Sequence, residues 1–118
     1  MAKIMVVDDA PFMRMRAVKL LKENGHECIE AGNGVEAIER YKAEKPDAVM
    51  MDITMPDMDG LEALKALKQI DSNVRITMVT AMGQQSIVME AIKAGAKDFI
   101  VKPFDPNRVM GALEKMLG

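Results

Sequence analysis

Five polar residues each close a short apolar run: Asp8 and Asp9 follow residues 4–7, Asp52 follows 48–51, Thr80 follows 78–79, and Lys102 follows 99–101. Taken singly they have ordinary explanations, as a helix cap, a strand residue or a solvated charge. Taken together they specify chemistry. Three carboxylates gathered at one edge repel one another unless a cation or the Lys102 ammonium balances them. Oxygen donors of this kind suit a small, hard cation, and Mg²⁺ is the one that commonly assists phosphate chemistry. The nitrogen and sulfur donors that zinc prefers are scarce, since His26 and Cys28 are the only histidine and cysteine. A carboxylate beside such a cation can attack phosphorus and form an aspartyl phosphate, while an ammonium and a hydroxyl stabilise the phosphoryl oxygens.

Such a gathering requires a scaffold that brings distant run ends to one edge. Residues 3–7, 27–31, 48–52, 75–80 and 98–102 read as five strands, most of them continuously apolar as buried parallel strands are. Helical spacing fills the intervals. Phe12, Met15, Val18 (or Ala17) and Leu21 precede Gly25, and Ile87, Val88, Ala91 and Ile92 precede Gly95, a common helix stop. Asn33 with Glu36 and Asp59 with Glu62 have capping-box spacing ahead of Ile38/Tyr41 and Leu61/Leu64/Leu67. Asp105 and Pro106 open a last helix carrying Val109, Met110, Leu113, Met116 and Leu117. The alternation predicts a single α/β domain over residues 1–118, a (βα)5 unit whose ligands bind at the carboxyl ends of the strands. Thirteen methionines, among them Met5, Met13, Met15, Met50, Met51 and Met78, read as flexible core filler.

Composition closes off other classes. A net charge of −2 leaves no positive field for a phosphate backbone, and Phe12, Tyr41, Phe99 and Phe104 are too scattered to form a base-stacking platform. No apolar run approaches the roughly 20 residues of a membrane helix or the core of a signal peptide, so the expected location is the cytoplasm. Cys28 has no cysteine partner, and His26 sits in a turn after Asn24-Gly25.

The segments VVDDAPFMR, MDITMPDMDG, MVTAMG and AKDFIVKPF resemble, in order and spacing, the hallmark segments of response-regulator receiver domains over essentially the whole chain. The resemblance implies a doubly wound, flavodoxin-like fold with sheet order 2-1-3-4-5. It makes Asp52 the phosphoacceptor, with Asp9 binding Mg²⁺ directly, Asp8 assisting through water, Asp52 itself a ligand and the Thr54 backbone carbonyl another. It assigns phosphate-contacting backbone to Thr54 and Ala81, a phosphate-seeking hydroxyl to Thr80, and the phosphate's cationic partner to Lys102, across a cis peptide to Pro103. Thr80 and the aromatic on strand five move together in such proteins; here the aromatic is Phe99, without the hydroxyl of the frequent tyrosine. The output face that follows is formed by helix four, strand five and helix five, with Ile87, Val88, Ala91, Phe99, Pro106 and Val109 as candidates. Thr54 and Met82, two residues beyond Asp52 and Thr80, flank the path of the water that would hydrolyse the phosphoryl group.

TAMGQQ and MDITMP are most similar to stand-alone chemotaxis receivers. That likeness implies a monomeric messenger phosphorylated by a CheA-like histidine kinase, read by a FliM-like flagellar switch protein and reset by a chemotaxis phosphatase; the rival within the family is a phosphorelay intermediate. Such a chain is no enzyme beyond its own phosphorylation and slow dephosphorylation. A Mg²⁺-dependent phosphatase would typically carry a second acid where Thr54 stands, and a flavin site would not place Asp-Asp after strand one.

Overall fold

The computed structural model describes residues 2–53, 55, 58–81 and 84–117. Strands β1 (Lys3–Val7), β2 (Glu27–Ala31), β3 (Ala48–Asp52), β4 (Ile76–Thr80) and β5 (Asp98–Val101) alternate with helices α1 (Pro11–Glu23), α2 (Gly34–Glu44), α3 (Gly60–Ile70), α4 (Gln85–Lys93) and α5 (Pro106–Leu117). Every strand pairing is parallel and the sheet runs β2-β1-β3-β4-β5, the order that the family resemblance implies. No helix among the described residues is long and apolar enough to cross a membrane.

Local chemistry explains most element ends. Asn33 Oδ1 accepts from the Glu36 amide at 2.8 Å and Asp59 Oδ1 from the Glu62 amide at 2.9 Å, so both expected caps start their helices. Gly25 and Gly95 follow α1 and α4 with φ of 85° and 114°, values that a side chain would oppose. α1 and α4 lack such a cap: their N-cap residues, Ala10 and Gln84, make no side-chain cap bond. Ahead of α1, the Asp8 carboxylate accepts from the Ala10 amide at 2.9 Å. β4 begins at Ile76 and β5 ends at Val101, one residue inside each expected span.

The strand period of two sorts side chains between two helical layers. Met5, Val7, Val49, Met51, Ile76 and Met78 pack beneath α2, α3 and α4. Ile4, Val6, Ala48, Met50, Val79 and Ile100 pack beneath α1 and α5. Met5, Met50, Met51 and Met78 are thus core filler as expected, but Met15 is 59% exposed and Phe12 63% exposed. Their helical spacing misled because an α-helix turns about 100° per residue. Nine residues separate Phe12 from Leu21, which places them on opposite faces; Ala17, Val18 and Leu21 form the inward stripe.

Two contacts brace the part of the sheet that matters for chemistry. Gly60 at the start of α3 packs so closely on the end of β3 that a Cβ there would overlap the Asp52 carbonyl and lie 2.7 Å from Ile53 Cα. Asp98, buried at the start of β5, receives two bonds from Arg108 of α5 at 2.7 and 2.9 Å, with Lys115 at 3.7 Å. The Arg108 hydrogen bonds hold the Asp98 carboxyl below its ordinary value of 3.8.

Gly60→Ala is expected to destabilise the protein by about 2 kcal/mol, a common cost of overpacking against backbone, read as a lower urea midpoint at unchanged slope. Asp98→Asn should cost about 2 kcal/mol near neutral pH through loss of a charge-assisted, two-pronged pair. Because the folded-state pKa is depressed, the wild-type advantage is present above pH 3.8 and disappears as pH falls through the folded value. Urea titrations of both proteins across that range check the sign.

Candidate functional site

Strand register assembles the five residues. Val7 pairs with Met51, so Asp8 and Asp52 stand level at the ends of neighbouring strands. Asp52 pairs with Val79 and Thr80 with Val101, so Thr80 and Lys102 emerge at the same edge, one step further on. The polar ends therefore meet where the parallel sheet opens.

Lys102 Nζ lies 3.0 Å from Asp8 Oδ2 and 3.3 Å from Asp52 Oδ2, joining residues 94 and 50 positions away in the chain. Asp8, Asp9 and Asp52 each offer a carboxylate oxygen, and these oxygens all lie within 4.8 Å of one another. Asp8 and Asp52 are buried and Asp9 is exposed. Burial by itself would lower the pKa of Lys102, but the hydrogen bond to Asp8 and the charges of Asp52 and Asp8 outweigh it and hold the ammonium above its ordinary value. Lys102 is therefore charged when it faces the two acids. An all-oxygen donor set with one member open to solvent fits a hard divalent cation that keeps some of its water. The Lys102–Pro103 peptide is cis, as the resemblance implies. Thr54 and Met82 lie outside the described residues.

Two further residues belong to the site and carried no sequence signal beyond their place in a quoted segment. Arg14 Nη1 donates to the Asp8 carbonyl at 2.7 Å while its Nε pairs with Glu30 at 3.0 Å, so the loop bearing Asp8 is tied to β2. Gln84 Oε1 lies 2.7 Å from Thr80 Oγ1 and accepts from the Ala81 amide at 2.9 Å.

Thr80 and Phe99 border one groove of about 510 Å³ between α4 and β5, together with Gln84, Val88, Met89 and Val101. Phe99 is 37% exposed, and Arg108 both stacks over its ring at 6.0 Å and donates to its backbone carbonyl. Of the expected output residues, Val88, Ala91 and Val109 are buried in the two cores. Pro106 is exposed as expected, and the exposed large apolar side chains described on α4 and β5 are Met89, Ile92, Phe99 and Val101. Met89 and Ile92 of α4 were not expected at the surface because helical period locates an apolar stripe without saying which edge of it stays uncovered.

His26 accepts from the Ala2 amide at 3.1 Å, at the amino ends of β1 and β2 and so opposite Asp52. Cys28 is half-buried in β2, and burial pushes its thiol up. Neither residue reaches the carboxyl edge. The arrangement at that edge offers a buried carboxylate, an adjacent cation, a hydroxyl near the same strand end and a carboxylate cluster fit for a metal.

Lys102→Met removes the positive charge between Asp8 and Asp52. Without added metal it should cost on the order of 2 kcal/mol, below the usual cost of breaking a fully buried pair because Lys102 is partly solvated. Urea unfolding in chelator should show this loss, and Mg²⁺ should restore more stability to the variant than to wild type. Equal midpoints in chelator would show that the acids balance without Lys102.

The family model for the response regulator receiver domain matches residues 4–114. The chain is 59% identical over 116 residues to the chemotaxis protein CheY of Bacillus subtilis, covering 98% of this chain and 97% of that protein. It is 56% identical to the chemotaxis protein CheY of Thermotoga maritima, over 97% of this chain and 96% of the other. Among solved structures, the CheX-CheY-BeF3-Mg complex of Borrelia burgdorferi superposes with a TM-score of 0.93 at 34% identity, covering 98% of this chain and 89% of that one. With the strand order and the carboxyl-edge cluster described above, these likenesses are those of one family, and the chain belongs to the response regulator receiver domains.

Proposed function

We propose that the chain is a phosphorylation-gated chemotaxis switch in which Asp52 accepts a phosphoryl group. The carrying observation is the position of Asp52: buried, at a strand end, with Lys102 Nζ 3.3 Å away and carboxylate oxygens of Asp8 and Asp9 within 4.8 Å of its own. An Asp52 carboxylate oxygen attacks phosphorus as the bond from phosphorus to the donor's imidazole nitrogen breaks. The donor ring, protonated on its other nitrogen, keeps the bonding pair and leaves as neutral histidine, and the phosphoryl group remains as an acyl phosphate. Lys102 donates to a phosphoryl oxygen and offsets its charge. Asp8, Asp9 and Asp52 would hold a Mg²⁺ ion, which would supply charge neutralisation for the phosphoryl oxygens. Thr80 and the Ala81 amide donate to the oxygen nearest β4, with Phe99 following Thr80 in the shared groove.

The phosphohistidine comes from a partner, because His26 lies at the opposite ends of the strands. The likeness to chemotaxis CheY proteins supports a CheA-like kinase as that donor, a FliM-like flagellar switch as the receiver, Mg²⁺ as the metal and the cytoplasm as the location. The chain's catalysis is then limited to its own phosphorylation and slow hydrolysis.

Incubation with acetyl phosphate and Mg²⁺ should add the mass of one phosphoryl group to wild type and none to Asp52→Asn, read by intact-mass spectrometry. Equal labelling of the variant at the same peptide would remove Asp52 from the role. Binding of the phosphorylated chain to a FliM-type peptide should exceed that of the unphosphorylated chain; transfer onward to a phosphotransferase without peptide binding would place it in a relay instead.

A further inference from the structure

The two donors at the end of β4 are already occupied by a side chain of the molecule itself. Gln84 Oε1 lies 2.7 Å from Thr80 Oγ1 and 2.9 Å from the Ala81 amide nitrogen, so one carbonyl oxygen takes both a hydroxyl and a backbone N–H. Thr80 is 2% exposed, so its hydroxyl needs a partner; Gln84 Oε1 at 2.7 Å is the nearer of two acceptors, the Ala81 carbonyl lying at 3.1 Å. Gln84 occupies the N-cap position of α4, yet it makes no side-chain cap bond there; its carboxamide reaches back to β4. α4 thus begins without the side-chain cap seen at α2 and α3.

We propose that Gln84 is a positioning residue, a built-in acceptor that holds Thr80 and Ala81 in the resting arrangement and competes with the phosphoryl group on Asp52 for the same two donors. The proposal rests on the reading of Asp52 as phosphoacceptor. A phosphoryl oxygen that takes the Thr80 hydroxyl and the Ala81 amide has to displace the Gln84 carboxamide. Gln84 also borders the groove that holds Val88, Met89 and Phe99, so its displacement frees the first residue of the α4 wall. Phosphorylation and the α4 surface are then coupled through one side chain, and that side chain sets how far the resting state is favoured.

The test is titration of the full chain with beryllofluoride in Mg²⁺, followed by NMR, for wild type, Gln84→Met and Gln84→Ala. Both variants should bind roughly fivefold tighter, the worth of one net hydrogen bond no longer broken on binding. Met and Ala differ in size, so a gain shared by both reports the lost acceptor and not a changed apolar contact. Before any beryllofluoride is added, the Ala81 amide should exchange with solvent faster in both variants. In a Thr80→Val background, the gain from Gln84→Met should shrink, since one of the contested donors is gone. Wild-type affinity in both variants, or a gain undiminished by Thr80→Val, overturns the role of Gln84 while leaving Asp52 untouched. Failure of wild type to bind beryllofluoride, or retained binding in Asp52→Asn, instead strikes the reading of Asp52 and takes the proposal with it.

Discussion

The Asp8 and Asp52 carboxylates are buried beside each other, and the rest of the structure depends on how their repulsion is offset. Two like charges at such a separation oppose each other by about 3–4 kcal/mol at the effective dielectric of a protein surface. Lys102 answers this with one ammonium placed 3.0 Å from Asp8 and 3.3 Å from Asp52. One positive charge against three acids leaves the edge net negative. An edge in that condition is compatible with a bound divalent cation, whose charge would offset the surplus. Stability and chemistry therefore draw on the same imbalance.

Parallel pairing is what makes so tight a grouping attainable from residues scattered along the chain. Each strand delivers its last residue to the same edge, and register decides which residues stand level. The helix starts then lock the strand ends. The close packing of Gly60 on the Asp52 carbonyl holds β3, the Arg14 bond to the Asp8 carbonyl holds the loop after β1, and the Asp8 carboxylate itself satisfies the Ala10 amide ahead of α1. Asp8 is accordingly both a charge in the site and the start of a helix. The reading of that residue as part of a helix start therefore holds alongside its place in the acidic cluster.

On the far side of the site, β5 and α5 are joined by the Asp98–Arg108 pair, and Arg108 also covers the ring and carbonyl of Phe99. Phe99 is held from outside by a cation and borders, with Thr80 and Gln84, one groove. The aromatic lacks a hydroxyl, so its position answers to packing and to Arg108.

Asp8, Asp9, Asp52, Thr80 and Lys102 were legible in the sequence because each closes an apolar run, and a parallel sheet converts run ends into a common edge without further information. The capped starts of α2 and α3 and the glycines after α1 and α4 were legible for a similar reason: capping is settled within three or four residues. The strand order came from family resemblance, since local periodicity carries no record of which strands pair. Only the tertiary structure decided that Phe12 and Met15 face solvent, that Val88 and Val109 serve the core, and that Arg14 and Gln84 join the site. Those outcomes depend on which neighbour covers a helix edge and on where a long side chain finds its acceptor. Such contacts join residues far apart or on different elements, and spacing along the chain does not encode them.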